Sequence, residues 1–182
     1  MKANDDYGRF TGPAEVRIVR TLPGPIERVW EYLTDPEKRS RWFAGGPMEL
    51  RPGGKMALHF QHKNLAPDEE SPEGYKDDAG KTMAGVITRC EPPRVLAFTF
   101  GSSGESEATF ELTAQGKEVL LVLSHRSRGE DLDYMHEFAS GWHVHLGYLL
   151  SILEGTPRGP FWSAHARLKV IYNQARIAAQ KP

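Results

Sequence analysis

The side chains best suited to chemistry are seven histidines, one cysteine and a few carboxylate doublets. His59 and His62 sit three apart on a strand-like stretch, which sends them to opposite faces and away from a shared ion. His143 and His145 are two apart on a helical stretch and diverge by about 200°. His136 and His143 share a helical face, but two turns separate them by roughly 10 Å. No local pair has metal-ligand spacing, so no metal and no cofactor is expected. Asp68-Glu69-Glu70 and Asp77-Asp78 fall in a polar stretch, where no pocket would raise one pKa for acid–base work. Cys90 lacks cationic sequence neighbours, and Ser102-Ser103-Gly104 lacks the G-x-S-x-G pattern of a nucleophile elbow. No P-loop or dinucleotide fingerprint occurs, and no catalytic residue is assigned.

Three histidines differ from the rest because each prolongs an apolar face. His62 follows Met56, Leu58 and Phe60; His125 follows Val119, Leu121 and Leu123; His145 lies in a stripe with Phe138, Trp142 and Leu149. If those faces line a cavity, the imidazoles are its polar anchors or a general base. The aromatics Trp42, Phe60, Phe98, Phe100, Phe110, Phe138 and Trp142 would gather on the same interior. Together with His62, His125, His145 and Leu149 they are the expected ligand-binding set. The competing reading is plain core for the aromatics and water-bonded edge positions for the histidines. Trp30 and Trp42 read as braces for two short helices.

The elements that must position these residues follow from periodicity. Residues 1–13 are polar, carry Gly8, Gly12 and Pro13, and read as a flexible arm. Ala14 to Leu22 alternates as a half-buried strand. After Pro23-Gly24-Pro25, the residues Ile26, Val29, Trp30 and Leu33 recur at helical spacing, and Asp35-Pro36 caps a second short helix. Strands are predicted at Met56–Phe60, Thr82–Cys90, Val95–Phe100, Ala108–Thr113 and Val119–His125, the last apolar on both faces as a central strand is. Lys63 to Lys81 reads as a long mobile polar loop. From Asp131 the period becomes helical, running through Met135, Phe138, Trp142, His145, Leu146, Leu149 and Leu153 to Gly155, a C-terminal cap. Gly141 and Gly147 inside that helix are read as close contacts with the sheet. A last helix spans 160–180, with Phe161, Leu168 and Ile171 on one face. It is expected to pack on its own domain, with pairing to a second copy as the alternative. One domain over 14–182 is expected, with its core in 14–155.

Composition narrows the function. The 23 basic and 24 acidic residues give a formal charge of −1, with no basic stripe for nucleic acid. A single cysteine makes no internal disulfide, and no apolar run reaches the ~18 residues of a membrane span. The N-terminal segment has no apolar signal-like region. Neither nucleic-acid binding nor membrane insertion is expected, and the expected setting is the cytoplasm.

The order of strand, two short helices, antiparallel strands and long C-terminal helix resembles the helix-grip fold of the START/Bet v 1-like superfamily. Within it the sequence is similar to the activator of heat-shock-protein-90 ATPase homologue-like family. Three blocks carry the resemblance: Arg20-Thr21-Leu22-Pro23-Gly24-Pro25-Ile26-Glu27-Arg28-Val29-Trp30 through Thr34-Asp35-Pro36-Glu37 to Trp42-Phe43; Gly53-Gly54 with Gly85-Val86-Ile87 and Pro92-Pro93-Arg94-Val95-Leu96; and Gly141-Trp142 with Leu146, Leu149 and Leu153. They span Ala14 to Gly155. The resemblance implies an α+β fold in which a curved antiparallel sheet wraps the long helix and leaves a cavity between them. Members of the superfamily bind lipids, sterols, polyketides or protein partners, and some catalyse cyclisation or dehydration. The polar Lys63–Lys81 loop and the helix after Pro160 depart from the plain pattern.

Three functions remain open at this point. The first is a binding protein for a small apolar, aromatic or lipid-like ligand, which is preferred over an enzyme. The second is a polyketide-cyclase or dehydratase-like enzyme, marked by His145 beside Tyr134 or Glu111. The third is a chaperone-activator type of interaction module, marked by an exposed apolar patch.

Overall fold

In a computed structural model of the chain, the structure describes residues 4, 6–73, 75, 80–101, 104–129 and 132–179. The elements are β1 (Arg9–Gly12), β2 (Glu15–Pro23), α1 (Ile26–Thr34), α2 (Pro36–Ser40), β3 (Lys55–His59), α3 (His62–Leu65), β4 (Thr82–Glu91), β5 (Val95–Phe100), β6 (Ser106–Gln115), β7 (Glu118–Ser127), α4 (Met135–Glu154) and α5 (Trp162–Ala179). Seven antiparallel strands form one curled sheet in the order β1-β2-β7-β6-β5-β4-β3. The long helix α4 lies in its concave side, which makes this an α+β helix-grip fold.

Alternation decides which side chains face α4. Along β6, Ser106, Ala108, Phe110 and Leu112 are buried while Glu111 and Thr113 are exposed. Register carries that choice across the sheet: Phe98 pairs with Ala108, Ala108 with His125, and His125 with Val16. One row of the concave face therefore sets an aromatic ring, a methyl group, an imidazole and an isopropyl group side by side. Strand β7, flanked by β2 and β6, is buried along most of its length, as its two-sided apolar pattern predicts.

Local signals explain the helix ends. Asp35 accepts a hydrogen bond from the Lys38 amide at 2.8 Å, and Pro36 takes the first position of α2. Gly155 closes α4 in the left-handed conformation at φ 69°. Between them Arg39, 2% exposed, hydrogen-bonds to no carboxylate among the described residues. Its guanidinium instead donates to the carbonyls of Leu33, Thr34, Ala44 and Gly46 and to Met48 Sδ. Burial lowers its pKa to about 10, and the orphan carbonyls at the end of α1 supply the negative potential that holds the charge.

Three expectations are corrected. Residues 9–12 are not part of a loose arm but an edge strand, because Gly8 lets the chain lie against β2 and α5. A Cβ there would stand 2.5 Å from Ile18 Cγ1, and the Gly8 amide donates to Tyr172 Oη at 2.8 Å. The polar connection after β3 is not uniformly solvated either. Leu65 and Ala66 join the core, and Glu69 and Tyr75 bond across to the C-terminal half; Asp77 and Asp78 lie outside the described residues. Finally, β3 stops at His59, where its ladder with β4 ends, so His62 opens α3 instead of extending a strand.

Helix α5 packs on α4 and β1 of its own chain, burying Leu168 and Tyr172. Among the described residues, no helix is long and apolar enough to cross a membrane.

Candidate functional site: an aromatic cavity closed by the last helix

The grip is filled at one end and open at the other. At the filled end Trp42, Phe98, Phe110 and Leu149 are each at most 2% exposed, and Trp42 Nε1 donates to the Tyr32 carbonyl at 2.9 Å. At the open end lies a cavity of about 620 Å³. Its walls are Phe43 from the segment after α2, Phe60 and His62 after β3, Phe100 from β5, Phe138, Gly141, Trp142 and His145 from α4, and Phe161, Trp162 and His165 at the start of α5. Exposed Lys81, Thr82 and Tyr134 mark its mouth. The rings brace one another: Phe43 to Trp142 at 4.7 Å, Phe100 to Phe138 at 5.7 Å, His62 to Trp162 at 5.1 Å.

Of the expected ligand-binding residues, Phe60, His62, Phe100, Phe138, Trp142 and His145 line this space. Trp42, Phe98, Phe110, His125 and Leu149 do not; they form the packed layer beneath it. Sequence reasoning missed Phe43, Tyr75, Gly141, Phe161, Trp162 and His165 as wall residues. The Phe161-Trp162 pair with His165 one helical turn on was the available signal. Gly141 is likewise corrected: a Cβ there would meet nothing within 4 Å, so the missing side chain leaves room in the cavity instead of relieving a contact with the sheet. Gly147 has the same open surroundings.

His125 acts from behind the wall. Ser106 Oγ donates to the Phe100 carbonyl at 2.8 Å, so it accepts from His125 Nε2 at 3.0 Å. His125 Nδ1 in turn accepts from Trp142 Nε1 at 2.8 Å. The Phe138 ring stacks on the imidazole at 4.3 Å. Every polar atom of this chain is satisfied by one tautomer, and desolvation holds the His125 pKa at about 3. The neutral ring thereby sets the orientation of two wall aromatics.

His145 belongs to the wall itself. Its Nδ1 donates to the Trp42 carbonyl at 2.7 Å, which leaves Nε2 as an acceptor. Desolvation first, then the neighbouring His62, lowers its pKa to about 3. Its partner is a backbone carbonyl and neither Tyr134, which stands at the mouth, nor Glu111, which is exposed on the outer face of β6. His165 follows the same rule. Ser140 Oγ donates to the Glu137 carbonyl, so it accepts from His165 Nε2 at 3.2 Å, and burial lowers the imidazole pKa. Trp162 Nε1, by contrast, is a buried donor without a hydrogen-bond partner among the described residues.

The carboxylates around the cavity are already engaged. Glu137 accepts from Tyr75 Oη at 2.9 Å and pairs with Lys169. Glu69 caps α5, accepting from the amides of Phe161, Trp162 and Ser163 and from Ser163 Oγ. Desolvation pushes its carboxyl up, but the hydrogen bonds outweigh it and the net shift is downward. That cap fixes where Phe161 and Trp162 enter the wall. Among the described residues, no group of three His, Cys, Asp or Glu side chains is placed to hold a metal ion. Burial raises the Cys90 thiol pKa, the opposite of an activated nucleophile.

Residues 23–154 match the family model of activator of Hsp90 ATPase homologue 1-like proteins. The chain belongs to that family. Its fold is the START/Bet v 1-like one, a ligand-binding domain in general kind. A family-sized neighbour is the protein BPP1335 of Bordetella parapertussis, whose solution structure is 42% identical, with 96% of this chain and 92% of that one covered and a TM-score of 0.80. The crystal structure of CalU16 from Micromonospora echinospora is 28% identical over 91% of this chain and 87% of that one, with a TM-score of 0.66. The conserved protein of unknown function EF2215 from Enterococcus faecalis shares the fold at 17% identity, covering 99% and 95% with a TM-score of 0.74. No curated protein matches the chain. The family match ends at residue 154, so Phe161, Trp162 and His165 lie outside it.

Proposed function

We propose that this Hsp90-activator-like domain binds a small, largely aromatic or lipid-like molecule in the cavity between the sheet, α4 and the start of α5. The carrying observation is a space of about 620 Å³ with mostly aromatic walls, into which the polar atoms of His145 and Trp162 bring unused hydrogen-bonding capacity. Aromatic walls with a few placed polar groups are the usual composition of a ligand pocket. A buried indole N–H without a partner costs about 1–3 kcal/mol, which an acceptor on the ligand would recover.

Carriage fits the electrostatics better than catalysis. A general base works best with a pKa near the operating pH. His145, at about 3, is a hydrogen-bond acceptor rather than a proton acceptor. Of the exposed large apolar side chains Tyr7, Leu50, Val86, Tyr134, Val170 and Ile177, only Val170 and Ile177 share an element, which favours the cavity over a surface patch.

Native mass spectrometry of the protein purified from its own host, followed by extraction, tests this reading. The expected result is one co-purifying apolar compound that is lost in Phe60→Ala or Trp142→Ala with the fold intact. An empty protein, with no compound in a lipid and aromatic screen raising its melting temperature, would overturn the proposal.

A further inference from the structure

Behind Phe43 lies a second cleft of about 670 Å³, and the Phe43 ring lines both spaces. The chemistry of the two differs sharply. The second cleft is bounded by the end of α2, the segment from β3 into α3 and the turn after α4, and its charged side chains are Arg41 and Arg158. His59, Gln61 and Asn64 add imidazole and amide groups, and no carboxylate lines it among the described residues.

Both arginines line the cleft, and one bond ties the Arg158 side chain to the Arg41 backbone. Arg158 Nη1 donates to the Arg41 carbonyl at 3.3 Å, and its guanidinium lies over the Tyr148 ring at 5.1 Å. Arg41 Nη1 reaches only the Tyr32 hydroxyl, at 3.4 Å. Neither has an acidic partner among the described residues, although the chain carries 24 carboxylate side chains. Asn64 Nδ2 donates to Gln61 Oε1 at 2.6 Å, which leaves the Gln61 amide hydrogens as donors. Like charges gathered without a counter-charge, beside neutral donors, make a site complementary to an oxyanion.

We propose that this cleft binds a phosphate group. Two guanidiniums match the charge of a phosphate dianion better than that of a carboxylate. The volume also leaves room for a carrier group. The shared Phe43 wall allows two sources: free inorganic phosphate, or the phosphate of a molecule whose apolar part reaches towards the aromatic cavity.

The test is a ¹⁵N–¹H NMR titration of the full chain with inorganic phosphate against sodium chloride of equal ionic strength. The expected result is saturable shifts confined to amides around Gln61, Asn64, Thr156 and Arg158. Arg41→Gln and Arg158→Gln should each weaken binding by about tenfold or more, while Arg51→Gln, which does not line the cleft and pairs with Glu49, leaves it unchanged. All three side chains are exposed, so folding is retained and is checked in the same spectra. Shifts that chloride reproduces, or an affinity unchanged in both cleft variants, overturn the proposal. A second arm uses 1-naphthyl phosphate. Tighter binding than inorganic phosphate, with added shifts at Phe43 and Trp142, assigns the site to the head of a cavity ligand; equal affinity with cleft shifts alone assigns it to the free ion.

Discussion

Around His125 every polar atom has a protein partner, whereas Trp162 Nε1 has none among the described residues and His145 is bonded through Nδ1 alone. Both regions use an imidazole, an indole and neighbouring phenyl rings, stacked on His125 and edge-on to His145, and both are buried. The first is a closed relay from Trp142 through His125 and Ser106 to the Phe100 carbonyl. The second is a wall with hydrogen-bonding capacity left over. Burial alone therefore does not separate an imidazole locked into the packing from one with hydrogen-bonding capacity to spare; completeness of the hydrogen-bond set does.

The largest expected effect is that of pH on stability. His125 and His145 have pKa values lowered to about 3, and His143 to about 4, in each case chiefly by burial. The unfolded chain protonates these rings near 6.5 while the folded one does not. Between about pH 6.5 and 4 the unfolded state therefore binds more protons, and stability falls as pH falls. Urea unfolding at pH 7.5, 6 and 5 should show a loss on the order of 5 kcal/mol by pH 5, with a slope near three protons. A flat profile would mean that the rings are not held neutral.

Truncation separates the two histidines next. His125→Ala removes a packed ring and strands both Trp142 Nε1 and the Ser106 hydroxyl, an expected cost of about 3–5 kcal/mol. His145→Ala strands only the Trp42 carbonyl beside existing space, about 1–3 kcal/mol. Chemical denaturation of both variants checks the order, and equal costs would mean that the two imidazoles are held alike.

Phase was legible along the sheet, and closure was not. Strict alternation placed Phe98, Phe100, Phe110 and His125 on the concave face, and the paired register keeps them there. Helical spacing placed Phe138, Trp142 and His145 on the inner face of α4. Whether such a side chain is core or cavity wall depends on what covers it from far along the chain. Glu69 reaches α5 across more than ninety residues, and no local pattern encodes that distance. Phe161 and Trp162 thus read as an appended helix, and Gly141 as a packing contact, until α5 is set in place.

That long-range cap gives a smaller effect. Glu69→Ala should cost about 1–2 kcal/mol through the first turn of α5. It should also loosen the wall at Phe161 and Trp162, read as faster amide exchange there than around Trp42. Uniform exchange in both places would show that the cap does not serve the open end.

The smallest stability change belongs to the most direct measurement. Gly141 stands at the cavity wall with open space beside it, so Gly141→Leu should leave the fold intact and gain up to about 1 kcal/mol of helix propensity. Binding of 1-anilinonaphthalene-8-sulfonate, followed by its fluorescence, is then compared between the native chain and this variant. Saturable binding to the native protein and a loss of about tenfold or more in the variant are expected. Equal binding by both proteins, or none by the native one, would contradict the cavity as a ligand site.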